Sequence, residues 1–186
     1  MARAAFYNDP FYAFHFPREK SRSKCLSIFF RTVLGHLGPS GRVVTARGPG
    51  EHIVGVAVWL PTGAYPQPMW TQLSQLPGLM RSLAHHPRSI VRANAYFNAA
   101  TKAHTKDPHW YLLVLAVVPP LQGQGIGSTL VSHGLALVDE EGVASYLDTQ
   151  DKQNLAYYRK FGYQLQDTLR PVAHGPELYT MLRPPR

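Results

Sequence analysis

Residues 117–128 read VVPPLQGQGIGS and place three glycines at alternate positions. They follow an apolar stretch at 110–116, which predicts a β-strand, and lead into an apolar-periodic stretch at 126–138, which predicts a helix. Glycines in such a turn let the backbone approach a ligand closely, and the unpaired N–H groups at the positive end of the helix dipole attract anions. The sequence therefore predicts a strand–turn–helix unit that binds a phosphorylated cofactor.

The spacing of this loop excludes two common nucleotide-binding motifs. A P-loop has a Lys before its Ser or Thr after the last glycine, but Gly127 is followed directly by Ser128. A Rossmann fingerprint is G-x-G-x-x-G at the first strand, whereas this loop is G-x-G-x-G and lies well past the middle of the chain. What remains is Q-x-x-G-x-G beginning at Gln122, preceded by V-x-P beginning at Val117.

A second motif follows at residues 146–163. A β-like stretch, YLDT, precedes NLAYYRKFGY, which begins at Asn154. Asn154 and Tyr158 are four positions apart, so on a helix both side chains can address one ligand. Gly162 is a typical residue for ending that helix.

The loop and the second motif together resemble those of the GNAT superfamily of N-acetyltransferases, which bind acetyl-CoA. AVWLP at 57–61, His104 followed by PHWYL at 108–112, and the opening AF-x-x-DP at 5–10 are similar to the puromycin N-acetyltransferase-like branch. The resemblance implies an α/β fold with a mixed central sheet, splayed at the cofactor strand and flanked by helices. Members of this branch usually have a strand before the AF segment, so we expect that first strand to be missing and one sheet edge to be open.

The resemblance also implies where acetyl-CoA lies. Its diphosphate would bind backbone N–H groups of Gln122, Gly123, Gln124, Gly125, Ile126, Gly127 and Ser128. Backbone N–H groups of Ala116, Val117 and Val118 would support the oxyanion where the strand splays, because Pro119 cannot continue the ladder. Asn154 would bind the pantetheine arm. The nine histidines show no metal-binding spacing, so we expect no metal.

Two catalytic residues follow from the same resemblance. The Tyr158 hydroxyl would protonate the leaving thiolate; the alternative is a packed, structural tyrosine, with Tyr157 as the substitute acid. The base is predicted to be His109, whose ordinary pKa of about 6.5 suits deprotonating an ammonium. The alternatives are a solvent-facing His109, with Asp148 or water as the base. Strand alternation would place His109 on one face with Tyr111, Leu113, Leu115 and Val117.

The remaining pattern predicts one domain, 1–186, with alternating helical and β-like segments. We expect a helix over 22–37 ended near Gly38-Pro39, a hairpin of strands at 43–46 and 53–60, and two or three helices over 70–102 interrupted near Pro77-Gly78 and Pro87. After the glycine loop we expect a helix to Glu141, a strand at 144–149, a helix at 154–161, and a strand pair at 163–166 and 177–182.

Composition indicates the cellular compartment and the kinds of partner to expect. A single cysteine, Cys25, excludes an internal disulfide and fits a reducing cytoplasm, and the chain opens without an apolar signal-peptide core. The longest uncharged apolar run, 110–121, is shorter than the roughly 20 residues of a membrane span. The net charge of +8 suits a polyanionic cofactor, and no nucleic-acid-binding signature accompanies it. We expect neither nucleic acid nor membrane as a partner and leave a homodimer open.

The leading hypothesis is an acetyl-CoA-dependent N-acetyltransferase acting on a primary amine of a small molecule, such as an antibiotic or a biosynthetic amine. The amine would attack the thioester directly in a ternary complex. The alternatives are acetylation of protein lysines or N-termini, and a non-catalytic CoA-binding regulatory module. An enclosed pocket built by 66–104 would favour a small molecule, and an open groove would favour a peptide.

Overall fold

The computed structural model describes residues 1–37, 41–84 and 86–186. Within these residues the helices are α1 Ala2–Ala5, α2 Pro10–His15, α3 Glu19–Gly35, α4 Met69–Leu83, α5 Pro87–Ala103, α6 Ile126–Glu141 and α7 Gln153–Arg159. The strands are β1 Arg42–Arg47, β2 Ile53–Leu60, β3 His109–Val117, β4 Ala144–Thr149, β5 Gln164–Leu169 and β6 Leu178–Arg183. The predicted helix stop at Gly38-Pro39 lies outside the described residues.

One mixed sheet organises the molecule, with the strand order β1-β2-β3-β4-β6-β5. Among the described strands, β3 and β4 pair in parallel and the other neighbouring strands pair antiparallel. Strand β1, with an arginine at each end, forms one edge of this sheet. The predicted mixed sheet with flanking helices is confirmed.

The central strands β3 and β4 separate partway along their length. They pair only where His109–Tyr111 lies beside Ala144–Tyr146. Beyond Tyr111, β3 stays paired with β2 up to Val117, while β4 stays paired with β6 up to Thr149. The gap that opens between them, called the wedge below, is the predicted splay.

A bulge in β3 changes which side chains face each side of the sheet. Val58 lies opposite Val114 but Trp59 lies opposite Leu112, so Leu113 is an extra residue in β3. Leu112 therefore packs in the core under α6, whereas Val114 packs in the core under α3. The expected alternation is wrong beyond Leu113, because Leu115 and Val117 lie on the face opposite to His109 and Tyr111.

Two apolar layers hold the helices on the sheet. Under α6 and α7 the buried residues include Ala57, Trp59, Trp110, Leu112, Leu130, Val131, Leu135, Val138, Leu147 and Leu155. Under α3 they include Phe16, Cys25, Leu26, Phe30, Val56, Val58, Val114 and Ala116. Helix α6 approaches β2 at Gly134, where an added Cβ would overlap the buried indole of Trp59.

The segment between β2 and β3 forms two helices. Pro87 starts α5, but Pro77 lies inside α4, so the predicted interruption there is wrong. A proline in a helix removes one N–H donor and crowds the preceding turn, and here the chain continues through it. Contact with α3 accounts for this continuity, because Gly78 lies directly against Thr32.

The contact between Gly134 and Trp59 makes a prediction about stability. Gly134→Ala adds a methyl group where the indole leaves no space, and overpacking of this kind costs about 1–3 kcal/mol. The melting temperature should fall by roughly 3–10 °C for a chain of this size. Gly35→Ala is the matched control, because a Cβ at this exposed helical glycine meets nothing within 4 Å. An equal effect of both substitutions on the melting temperature would contradict the packing account.

Candidate active site

The glycine loop connects β3 to α6. After Val117 the chain makes a short 3-10 turn at Pro119–Leu121, and α6 begins at Ile126. Gly123 and Gly125 have φ values of +76° and +86°, in the left-handed region that favours glycine. A Cβ at either glycine would meet nothing within 4 Å, so the outer surface of the loop is open. Helix α6 has no side-chain cap, and its first N–H groups lack intrahelical acceptors.

Gln122 differs from the following loop residues because its backbone and side-chain donors are both used within the loop. Its backbone N–H donates to the Pro119 carbonyl at 3.2 Å, and its side-chain Nε2 donates to the Val117 carbonyl at 3.1 Å. Gln122 therefore fixes the loop to the end of β3 and does not offer a free backbone donor. The expectation of a diphosphate contact from its N–H is corrected, and residues 123–128 remain as candidates.

The end of β3 offers fewer donors than predicted. The Val118 N–H donates to the Val54 carbonyl at 2.9 Å. Because N–H groups along an antiparallel strand alternate in direction, the Ala116 N–H also points to β2, and the Val117 N–H points to the wedge. Of the three predicted oxyanion donors, only Val117 is suitably directed.

Helix α7 brings the second motif to the wedge. The Asn154 Nδ2 donates to the Thr149 Oγ1 at 2.9 Å, which fixes the start of α7 to the end of β4. Tyr158 is buried, with its ring centre 5.1 Å from that of Tyr157 and 5.8 Å from that of Tyr163. Its hydroxyl has no hydrogen-bond partner within the described residues. Burial raises the pKa of Tyr158 well above its usual value, so the hydroxyl is protonated.

The Tyr157 hydroxyl lies beneath the glycine loop. It is 3.0 Å from the position that a Cβ on Gly127 would occupy, close to Ser128. The oxygen is buried, and the Ser128 side chain lies within its hydrogen-bonding reach. This hydroxyl therefore supports the first turn of α6 from beneath.

A carboxylate, Asp148, stands at the mouth of the wedge. It is half-buried near the end of β4, where the Tyr111 hydroxyl donates to its Oδ2 at 2.7 Å and the Gln150 Nε2 donates to its Oδ1 at 3.4 Å. Burial raises the pKa of Asp148, and these two hydrogen bonds oppose the rise. Its negative charge also raises the pKa of Tyr158, so the two side chains lie within electrostatic reach of each other.

The N-terminal helices reach the same region. Burial raises the pKa of Tyr12, and the charges of Asp9 and Asp148 raise it further, so Tyr12 lies within electrostatic reach of both carboxylates. Asp9 accepts from the backbone N–H groups of Phe11 and Tyr12 at the start of α2, and burial raises its pKa to about 6. Sequence reasoning assigned no role to Tyr12, and no spacing signal connects it with a residue 136 positions away in the chain.

His109 lies at the start of β3, where the strands are still paired. Its Nδ1 donates to the Asp107 carbonyl at 2.6 Å, and its Nε2 lies 2.8 Å from the Nε2 of His104. Burial lowers the pKa of His104 to about 4, so His104 is neutral and donates to His109. Both ring nitrogens of His109 are therefore engaged. The His104 ring in turn packs against Tyr65 and Tyr146.

Comparison with known proteins identifies the family. Residues 7–163 match the Acetyltransferase (GNAT) family, so the chain belongs to that family. Its members are acyltransferases that use acetyl-CoA, which agrees with the open loop and the uncapped α6. Within the described residues, no group of three or more His, Cys, Asp or Glu side chains is arranged to hold a metal ion. No described helix combines the length and the apolarity needed to traverse a bilayer.

Solved structures share the fold over nearly the whole chain. One is a Corynebacterium glutamicum protein that is described as "histone acetyltransferase HPA2 and related acetyltransferase". Its sequence is 26% identical and its TM-score is 0.72, and the match covers 98% of this chain and 86% of the C. glutamicum chain. An aminoglycoside 6'-N-acetyltransferase bound to coenzyme A is 16% identical, with a TM-score of 0.52 and coverages of 99% and 92%. The ribosomal-protein-S18-alanine N-acetyltransferase of Escherichia coli is 16% identical, with a TM-score of 0.51 and coverages of 83% and 75%.

Proposed function

We propose that this protein transfers the acetyl group of acetyl-CoA to a primary amine of a small molecule, in a ternary complex. The observation that carries the proposal is that a half-buried carboxylate, Asp148, and a buried tyrosine, Tyr158, lie within electrostatic reach of each other where β3 and β4 have separated. Tyr12 of α2 lies within electrostatic reach of Asp148, so α2 would cover part of this mouth, which favours a small acceptor over a peptide in an open groove.

The residues around the loop fit acetyl-CoA. Backbone N–H groups of residues 123–128 would bind the diphosphate at the positive end of α6, and the open surface of Gly125 permits close approach. The buried hydroxyl of Tyr157 would support this turn from beneath, next to Ser128. Asn154 would bind the pantetheine arm that runs into the wedge.

The reaction needs one acid, one base and one oxyanion donor. The amine nitrogen attacks the thioester carbonyl carbon, a C–N bond forms, and the oxyanion accepts a hydrogen bond from the Val117 N–H. The C–S bond then breaks, and the thiolate takes the proton of the Tyr158 hydroxyl. Asp148 accepts the proton that the amine loses, and bulk water later returns a proton to Tyr158.

We assign the base to Asp148 rather than to His109. Asp148 lies within electrostatic reach of Tyr158, and its raised pKa makes it a stronger proton acceptor than an exposed carboxylate. His109 lies at the paired end of β3, with its acceptor nitrogen occupied by His104. It would have to act through His104, whose lowered pKa makes it a poor base.

Acetylation of a protein is the second candidate, because the 26% identical C. glutamicum relative is described as a histone acetyltransferase. Screening amines, including puromycin, and Lys-containing peptides with acetyl-CoA, by detection of the free thiol, separates the two. Turnover of peptides alone would replace the small-molecule proposal. Tight CoA binding without turnover of any acceptor would favour a regulatory module.

Gly125→Asp should weaken CoA binding strongly, because it places a carboxylate where the diphosphate approaches the α6 N-terminus. Loss of even one charge-assisted hydrogen bond is worth roughly 1.5–3 kcal/mol, or about 10- to 100-fold in Kd. Gly142→Asp is the matched control, since Gly142 also has a positive φ but lies at the other end of α6. Calorimetry that finds equal affinity for both variants would remove the loop from the binding site.

The identity of the base determines the pH dependence of kcat/KM. A carboxylate accepts protons only when ionised, so the rate should fall as the pH drops through the pKa of Asp148. The hydrogen bond from Tyr111 lowers that pKa, so Tyr111→Phe should move the acid limb to higher pH. Asp148→Asn should abolish the limb, and His109→Ala should retain it. The opposite pattern, a limb lost only with His109, would make His109 the base.

Tyr158→Phe removes only the hydroxyl, so the melting temperature and the CoA affinity should hardly change. Turnover at saturating acetyl-CoA should drop by about 10²–10⁴-fold, the range for a positioned acid. Tyr157→Phe, the same change on the adjacent residue, should affect CoA affinity more than turnover. If Tyr157→Phe reduces turnover and Tyr158→Phe does not, Tyr157 is the acid.

A further inference from the structure

Helix α4 turns small residues towards α3 and carries most of its large apolar residues on the outside, while Leu83 at its end packs against the core. The side towards α3 carries Thr71, Gly78 and Ser82, and Thr71 and Ser82 are buried. Gly78 lies against Thr32 so closely that a Cβ there would overlap the threonine side chain. An amphipathic helix in a globular protein normally buries its large apolar side chains, whereas α4 exposes most of them to solvent.

The outward side of α4 forms an apolar stripe. Its members are Met69, Trp70, Leu73, Leu76 and Met80, with exposed fractions between 46% and 76%. The spacing of four of them (69, 73, 76 and 80) places them on one helix face along the whole length of α4. An exposed apolar patch of this extent marks an interaction surface.

Helix α4 and its two neighbouring helices are rich in exposed basic residues. Helices α3, α4 and α5 carry six of them, Lys20, Lys24, Arg31, Arg81, Arg88 and Lys102, and one exposed acidic residue, Glu19. No acidic residue occurs between Glu51 and Asp107. The partner of this surface therefore has an apolar layer and negative charge.

We propose that α4 docks the protein on the surface of an anionic lipid bilayer. The stripe would insert at the boundary between headgroups and acyl chains, where Trp, Leu and Met side chains are favoured, while the basic residues of the neighbouring helices attract the anionic lipids. A helix bound in this way lies in the plane of the bilayer surface and does not cross the membrane. The sequence predicted no membrane partner because it contains no apolar run long enough to span a bilayer. Binding at the bilayer surface does not require such a run.

A second copy of the chain fits the stripe less well. A stable interface buries about 800 Å² on each partner, more than one exposed face of a 15-residue helix provides. Two copies would also bring like charges together around the stripe. Binding to a bilayer needs no such minimum area from one protein surface, and anionic lipids attract the basic residues instead of repelling them.

Tryptophan emission tests the proposal directly. Trp59 and Trp110 are buried, whereas Trp70 is 71% exposed, so an emission shift on adding vesicles would report Trp70. The purified protein should show a blue shift with vesicles of phosphatidylglycerol and phosphatidylcholine. With phosphatidylcholine alone, or at high salt, the shift should be much smaller. Flotation of the same mixtures measures binding independently.

Leu73→Glu should lower vesicle binding by roughly tenfold or more, because a carboxylate enters the inserted face. Val43→Glu, the same charge change at an exposed apolar residue on β1, is the control and should bind like the wild type. Both substitutions are at exposed positions, so melting temperature and acetyl transfer should stay unchanged. Unchanged vesicle binding by Leu73→Glu, or a wild-type dimer that Leu73→Glu dissociates without any vesicle binding, would overturn the proposal.

Discussion

The site depends on one interruption of hydrogen bonding, the separation of β3 from β4 after Tyr111. A parallel pair that continued to Val117 would use the strand N–H groups that now face the wedge. Because β3 remains held by β2 and β4 by β6, both strands keep rigid positions on either side of the gap. The wedge thus offers a polar opening through the middle of a sheet without loss of the sheet's support.

The fold was largely predictable because its signals are local. The helix and strand periods, the glycine at the end of α6 and the strand–turn–helix unit all act within about a dozen residues. The failures arose from contacts between distant segments. Nothing local indicates the extra Leu113 in β3, which the pairing with β2 imposes. Nor does the sequence show that α3 supports α4 through Pro77, where a proline alone would indicate a break.

The candidate site was predictable where backbone geometry defines it. The glycine loop and the Asn154–Tyr158 pair follow from spacing along the chain, and the structure brings both to the wedge. The directions of single N–H groups do not follow from sequence, because Val118 and Gln122 lose theirs to Val54 and Pro119 only once the loop is folded. The residues around Asp148 come from β3, β4 and α2, and no sequence pattern unites them.

The distribution of charge over the molecule affects both the candidate base, Asp148, and the basic helices. A chain with a net charge of +8 has few carboxylates, and Asp148 is placed where burial raises its pKa and Tyr111 moderates the rise. A carboxylate fully paired with Arg or Lys would be a weak proton acceptor, as Asp139 illustrates, since Arg183 lowers its pKa. Asp148 is instead held by neutral donors, which orient it and leave it basic. The excess positive charge remains on the helices, where it can attract anionic partners without lowering the basicity of the site.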